Sequence, residues 1–200
     1  MPALRSLYAS RFPSGLPPSH LTRRGLLHFL SPAAPAAAPA AGEHRTYYFD
    51  GGSRGNPGPA ACGWALYASA KPFPPPEVPA AAEAGSGGSW LGVATNNEAE
   101  YRGFLAALKH ALAGPAPEAG VVIRGDSELL VRQVAGRYKC SAANLRPLCE
   151  EAKRGLEELR GRGVEVRVEH VRREFNKRAD EVANDIMDAE ERGEGNPYDP

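Results

Sequence analysis

The stretch YYFDGGSRGNPGPA (residues 47–60) begins as an apolar run and then turns to glycine, proline and short polar residues. Aromatic residues in its first half favour a β-strand, whereas its second half is longer than the roughly two or three residues of an ordinary hairpin turn. Asp50 lies at the boundary between the two halves. The pattern predicts a strand that ends at a carboxylate and is followed by a long loop. The function of this loop has to be judged together with other carboxylates along the chain.

The charge of the 200-residue chain is unevenly distributed, although its 24 basic and 24 acidic residues balance. Residues 1–42 contain four arginines and no acidic residue, which leaves 20 basic against 24 acidic residues in the remainder. A mildly acidic body is not the composition of a general nucleic-acid-binding domain. Carboxylates can nevertheless hold metal ions that bridge a protein to phosphate groups.

Residues 1–42 are rich in Ser, Arg, Ala and Pro, a composition typical of an organellar transit peptide followed by a flexible linker. The alternative is an Ala/Pro-rich leader without a targeting role. No apolar run approaches the ~20 residues that cross a bilayer, so we expect no membrane association. We predict an intracellular protein, with mitochondrion and plastid both open, a folded domain over residues 43–192 and a tail over 193–200.

Cysteine and histidine do not suggest a site of their own. The three cysteines are odd in number and form no CxxC pair, which favours reduced thiols over a disulfide framework. The five histidines make no HxxxH or Cys/His cluster, so we expect no zinc site.

The hydrophobic periodicity predicts nine elements in the order βββαβααβα. The strands fall at 45–50, 62–69, 90–95, 120–126 and 164–171, and the helices at 96–114, 127–136, 144–163 and 176–191. Residues 70–89 are rich in Pro, Gly and Ala, and we predict a long loop there without a strand. A three-strand antiparallel meander followed by βα units defines an α/β fold with a five-stranded mixed sheet flanked by helices.

Two carboxylates, Asp50 and Asp126, stand at the carboxyl ends of predicted strands. Ligands of open α/β sheets bind outside these strand ends, which makes both residues candidates for a site. Each also has a structural alternative, because Asp126 can cap the helix that follows and Asp50 can close an Asx-turn.

A third carboxylate comes from the segment TNNEAEY (residues 95–101), in which Glu98 and Glu100 both qualify. Glu100 lies one turn before Phe104 on the apolar face of the predicted helix, whereas Glu98 lies about 200° around the axis from Glu100. The helical phase therefore directs Glu100 towards the sheet. Glu98 is better explained by its position in the first turn, where a negative charge is favourable.

The fourth carboxylate, Asp180, borders the apolar face of the last helix beside Ala179 and Ala183. These small residues would let the helix approach the sheet closely, although a solvated helix acid is the simpler interpretation of Asp180 alone. Four acids at strand ends and helix starts suit hard divalent cations such as Mg²⁺, which prefer oxygen ligands. Two such ions ~3.5–4 Å apart can activate a water and stabilise the leaving oxygen of a phosphodiester.

Four segments, YYFDGGSRGNPGPAACGWAL, ATNNEAEY, RGDSELLVRQVAGRYK and NKRADEVAN, resemble in order and spacing the signature segments of type 1 ribonuclease H, in its archaeal and plant-like branch. The resemblance covers residues 45–190 and implies the ribonuclease H-like fold. It also implies two Mg²⁺ ions as cofactors, with Mn²⁺ as a substitute. The catalytic, metal-binding acids of the family correspond to Asp50, Glu100, Asp126 and Asp180.

The resemblance implies an endonuclease that cuts the RNA strand of RNA/DNA hybrids. Family contacts to RNA lie on the first loop and the start of the first helix, where backbone and short amides can bond a 2′-hydroxyl. Here these residues are Gly51, Ser53, Asn56, Asn96 and Asn97. The loop glycines would let the backbone approach the nucleic acid.

Two other functions stay open. One is a nucleic-acid-binding module of the same fold without catalysis, and the other is a nuclease of this fold with a different duplex preference. We expect a monomer without an obligate protein partner. The chain departs from some bacterial members because residues 136–147 lack the basic segment with which those members grip the DNA strand. Some members also place a mobile histidine shortly before the last acid, and here His170 is the only candidate, because the loop after it contains no histidine. We interpret His170 as a structural residue, with a catalytic role as the alternative.

Overall fold

The structure, a computed structural model, describes residues 44–69, 83–114 and 119–198 of the chain. The predicted transit peptide and linker over 1–42 therefore lie outside the described residues.

The described part of the chain follows the predicted order βββαβααβα, with a short 3₁₀ helix (Arg173–Phe175) added before the last helix. The strands are β1 (His44–Ser53), β2 (Gly58–Ser69), β3 (Glu83–Ala94), β4 (Gly120–Gly125) and β5 (Val166–His170). The α-helices are α1 (Asn96–Ala113), α2 (Glu128–Val134), α3 (Arg146–Gly161) and α4 (Lys177–Arg192).

The strands form one mixed sheet in the order β3-β2-β1-β4-β5. β1, β2 and β3 make the predicted antiparallel meander, and β4 and β5 add in parallel on the other side of β1. Alternation along β1 sends Tyr47 and Phe49 into the large core shared with α1, α2 and α3, and Tyr48 into a smaller one with α4. The sheet is therefore covered on both faces, as the sequence predicts.

The predicted loop over residues 70–89 is wrong for residues 83–89, which belong to β3 and pair with β2. The glycines of this segment allow neighbouring groups to pack closely against β3. A Cβ on Gly87 would lie 2.8 Å from the ring of Trp64, and one on Gly88 would lie 2.2 Å from the carbonyl oxygen of Cys62. Glycine in a strand can mark such a close approach as well as a turn. The rest of the predicted loop, residues 70–82, lies outside the described residues.

Residues after α4 return to the sheet. The Asn196 side-chain amide donates to the carbonyl oxygen of Gly88 at 3.0 Å, and the Tyr198 hydroxyl donates to Asp185 at 2.7 Å. The segment predicted as a tail thus includes residues that pack on β3 and α4.

The three cysteines, Cys62, Cys140 and Cys149, are all free thiols, as their number and spacing indicate. Among the helices that the structure describes, none combines the length and the apolar character needed to cross a membrane.

Candidate active site

The backbones of β1 and α1 are in direct contact beside Asp50. A Cβ on Gly51 would lie 2.0 Å from the carbonyl carbon of Ala99, and a Cβ on Gly103 would lie 2.2 Å from the carbonyl oxygen of Asp50. Two positions without side chains therefore allow the helix to lie directly on the strand. Gly51 has a packing role here in addition to the predicted approach to a ligand, and this packing brings Glu100 to Asp50.

Asp50 lies inside β1 and not at its end, so the predicted strand boundary is wrong. β1 continues to Ser53 because it stays paired with β2, where Asp50 lies opposite Gly63. The parallel pairing with β4 ends earlier, at Tyr48 and Arg124, so Asp50 and Asp126 each follow the last parallel pair by two residues. The end of the parallel ladder, where ligands of such sheets bind, aligns the two carboxylates.

α4 approaches the opposite face of the sheet at Gly63. A Cβ on Gly63 would lie 2.8 Å from both the carbonyl oxygen of Ala179 and the backbone nitrogen of Ala183, which confirms the predicted close approach of the alanines. The contact places Asp180 in the same cleft as Asp50, a cavity of about 250 Å³.

Three of the four predicted acids come together. Asp50, Glu100 and Asp126 each offer a carboxylate oxygen, and these oxygens lie within 4.8 Å of one another. Asp180, the fourth acid, lies outside this group and makes an ion pair with Arg173 at 3.4 Å. The structure therefore assembles a triad, and Asp180 lines the cleft that one member of the triad, Asp50, also lines.

Burial and mutual repulsion raise the pKa values of two of these carboxyl groups. Burial, followed by the charge of Asp126, raises the pKa of Asp50 to about 7, although Asp50 also accepts the Gly51 backbone N–H at 2.7 Å. Burial, followed by the charges of Asp50 and Asp126, raises the pKa of Glu100 to about 8. Buried carboxylates at this spacing need a positive charge to be ionised together.

The donor set fits a hard divalent cation. Every ligand of the triad is a carboxylate oxygen, the type that Mg²⁺ and Mn²⁺ prefer. Glu100 Oε2 is buried and has no hydrogen-bond partner among the described residues, an arrangement that a bound cation would satisfy.

We expect the metal-free protein to become less stable as the pH rises from about 4 to about 8. The pKa values of Asp50 and Glu100 are raised in the folded state to about 7 and about 8, so the unfolded chain binds fewer protons across this range and gains in relative stability. A divalent cation offsets the repulsion of the ionised triad. Thermal unfolding with chelator and with millimolar Mg²⁺ should therefore show a larger Mg²⁺-induced rise in Tm at about pH 8 than at about pH 5. An equal rise at both pH values would contradict this account of the triad.

Glu98 has the role that the helical phase assigns to it. Its carboxylate accepts the backbone N–H of Thr95 at 2.9 Å, while the Thr95 hydroxyl accepts the backbone N–H of Glu98 at 3.3 Å. This capping box closes the start of α1 and keeps Glu98 out of the triad.

The predicted RNA contacts surround the first loop, and two of their side chains also fix its shape. The Ser53 hydroxyl lies within hydrogen-bonding distance of the backbone carbonyls of Gly58, at 3.2 Å, and of Ala94 at the end of β3, at 2.8 Å. Asn56 Oδ1 accepts the backbone N–H of Asn96 at 3.1 Å, which ties the loop to the start of α1. Asn96 and Asn97 are exposed there.

Two residues near the triad were not predicted. Arg173 has a side chain that is 82% exposed, and its charge opposes the rise in the pKa values of Asp50 and Glu100. Asn176 is buried and donates to Asp126. The only sequence signal for Asn176 is its place at the start of the segment NKRAD, four residues before Asp180.

Comparison with known proteins agrees with this geometry. A family described as reverse transcriptase-like matches residues 48–186. A ribonuclease HI of Halobacterium salinarum is 39% identical over 141 residues, which are 70% of this chain and 63% of that protein. A bifunctional protein of Mycobacterium tuberculosis is 38% identical over 151 residues, which are 76% of this chain and 37% of that protein. The chain thus spans less than two thirds of the length of these curated relatives.

Solved structures give the same result. The crystal structure of the Halobacterium salinarum ribonuclease H1 superposes with a TM-score of 0.60 at 36% identity, covering 72% of this chain and 98% of that one. LC11-RNase H1, solved in complex with an RNA/DNA hybrid, superposes with a TM-score of 0.59 at 30% identity. This match covers 73% of this chain and 98% of that one. Fold and site together define a protein with the ribonuclease H fold. Within that class, the chain belongs to the type 1 ribonuclease H family, as the sequence resemblance indicates.

Proposed function

We propose that the protein is a metal-dependent endonuclease that hydrolyses the RNA strand of RNA/DNA hybrids. The observation that carries the proposal is the triad of Asp50, Glu100 and Asp126, whose oxygens lie within 4.8 Å of one another. The hybrid as substrate is supported by a relative that is 30% identical and was solved in complex with an RNA/DNA hybrid.

The cofactor that suits this site best is Mg²⁺, with Mn²⁺ as a substitute. Asp50, Glu100 and Asp126 would hold two ions, with Asp180 contributing from the cleft that it shares with Asp50. When bound, the ions supply Lewis-acid activation of a water nucleophile and of the leaving oxygen. The reaction adds water across the P–O3′ bond and leaves a 5′-phosphate and a 3′-hydroxyl.

The protein itself supplies position and charge. The Gly51 N–H donates to one oxygen of Asp50 and so restricts rotation of a carboxylate that lies in the triad with Glu100. The guanidinium of Arg173 lines the same cleft as Asp50 and Asp180 and is exposed enough to meet a phosphate of the incoming strand. The first loop and the start of α1 lie at one side of this cleft, through Ser53 and Asn96, and present the polar groups that would bond RNA 2′-hydroxyls.

Asn97→Ala is expected to lower kcat/KM for hybrid cleavage about 10-fold, which corresponds to the ~1–1.5 kcal/mol of one polar contact. Tm should stay unchanged, because Asn97 is exposed. The control is a hybrid with 2′-deoxyribose at the positions near the cut, on which the wild type and the variant should differ less. An equal defect of the variant on both substrates would show that Asn97 does not read the 2′-hydroxyl.

The substrate assignment is tested on labelled strands. Full-length protein with Mg²⁺ is given an RNA/DNA hybrid, a duplex RNA and a duplex DNA of the same sequence. We expect cleavage of the RNA strand in the hybrid alone. Cleavage of duplex RNA or duplex DNA would show that the substrate is not the hybrid alone. Tight binding without cleavage in both Mg²⁺ and Mn²⁺ would assign the chain to the nucleic-acid-binding modules.

For the cell we propose a monomer that acts in an intracellular compartment, with residues 1–42 as an organellar targeting segment. The acid-free, arginine-containing composition of that segment supports the proposal. Fusing residues 1–42 to a fluorescent protein should send the fusion to mitochondria or plastids. A diffuse signal would support the leader without a targeting role.

A further inference from the structure

The N-cap residue of α4 presents a buried amide to the acidic triad. Asn176 is 1% exposed, and its Nδ2 group donates to the carbonyl oxygen of Phe49 at 2.9 Å and to Asp126 Oδ1 at 3.0 Å. Both partners are pure acceptors. The reverse orientation of the amide would place its oxygen against two other oxygens, so the neighbours determine which end faces them.

These bonds connect three of the four acids. Phe49 precedes Asp50 in β1, Asp126 follows β4, and the backbone carbonyl of Asn176 accepts the N–H of Asp180 at 3.2 Å. The bond to Oδ1 also restricts rotation of the Asp126 carboxylate. The Asn176 side chain therefore links β1 and Asp126 to the start of α4, where the Asn176 backbone bonds Asp180.

The amide at this position brings a cost for stability together with its two hydrogen bonds. Asn176 Oδ1 is buried and has no hydrogen-bond partner among the described residues. An unsatisfied buried acceptor is unfavourable, and an apolar side chain of the same shape would avoid it. What the apolar side chain would lack is the pair of donors directed at Phe49 and Asp126.

We propose that Asn176 is a positioning residue that holds Asp126, Asp50 and Asp180 in one arrangement and thereby sets the affinity of the site for divalent cations. The inference rests on the proposed function for its biological meaning, because the site is taken to be a cation site. Partners outside the ligand set commonly change metal affinity when they are removed, by about 10- to 100-fold.

The test measures cation binding by the substrate-free, full-length protein. Mn²⁺ is titrated calorimetrically into the wild type, Asn176→Leu and Asn176→Ser, and Tm is recorded for each. Leucine keeps the volume without donors, and the serine hydroxyl is too short to reach both acceptors at once. We expect the Mn²⁺ dissociation constant to rise about 10- to 100-fold in both variants.

Gln133→Leu is the matched control. Gln133 is also buried, at 5% exposure, and joins elements through bonds to the Tyr101 hydroxyl at 2.7 Å and the Lys139 carbonyl at 3.3 Å. This change should lower Tm and leave Mn²⁺ affinity at the wild-type value, because Gln133 bonds none of the four acids.

The outcomes separate the two proposals. Wild-type Mn²⁺ affinity in either Asn176 variant, an affinity loss in Gln133→Leu that matches its loss of Tm, or a failure of both Asn176 variants to fold would overturn the positioning role. Absence of Mn²⁺ binding by the wild type would overturn it as well. Cation binding that depends on Asn176 in a protein that cuts no hybrid would support this inference and contradict the proposed function.

Discussion

Asp50→Asn is expected to lower the rate of hybrid cleavage on the order of 1000-fold, about 4 kcal/mol of activation free energy. Asp50 belongs to the triad with Glu100 and Asp126 and also lines the cleft that contains Asp180. Asparagine offers a neutral oxygen in place of a charged one, so the triad loses a cation ligand. Single-turnover cleavage of a labelled hybrid measures the effect.

The same change should stabilise the metal-free protein by about 1–3 kcal/mol at about pH 8. Asp50 is 8% exposed and ionises there beside Asp126, with its pKa raised to about 7. Asparagine removes that charge, and its oxygen can still accept the Gly51 N–H. Glu98→Gln is the control, because Glu98 belongs to the capping box, and it should leave cleavage intact. A variant that loses activity together with stability would show that Asp50 acts through the fold.

Gly103→Ala is expected to destabilise the protein by about 2–4 kcal/mol, although alanine gains about 1 kcal/mol over glycine inside a helix. The new Cβ would lie 2.2 Å from the carbonyl oxygen of Asp50, so α1 must move away from β1. That movement separates Glu100 from Asp50. Chemical denaturation gives the loss of stability, and Mn²⁺ titration gives the accompanying loss of cation affinity.

Gly161→Ala provides the control for this glycine. A Cβ at Gly161, the last residue of α3, meets nothing within 4 Å. The substitution should therefore be neutral or slightly stabilising, by up to about 1 kcal/mol. Similar effects at both positions would contradict the close approach of α1 and β1.

The choice of Glu100 over Glu98 shows what the pattern of a single segment can predict. Helical phase alone separates the two residues, because α1 is regular and one of its faces is buried. The structure places Glu100 in the triad and Glu98 in the capping box. The element order was predictable for the same reason, since each periodicity is a property of one segment.

Features that depend on a neighbouring element were not predictable in this way. The extent of β1 beyond Asp50 and the glycine-rich start of β3 both come from pairing with β2, which no property of their own segments indicates. The contacts of the Asn176 amide were not predictable either, because its hydrogen bonds reach Phe49 and Asp126, which are distant in sequence. The separation of Asp180 from the triad likewise follows from how α4 packs on the sheet.

The proposed function requires the acidic triad to bind the metal ions that cleavage depends on. The most direct test is the rate of RNA-strand cleavage in a labelled hybrid as Mg²⁺ is raised from chelator to saturation, for the wild type and Asp126→Asn. We predict no cleavage in chelator, a saturable rise with Mg²⁺ in the wild type and a loss on the order of 1000-fold in the variant. Cleavage that persists in chelator, or that survives in Asp126→Asn, would contradict it.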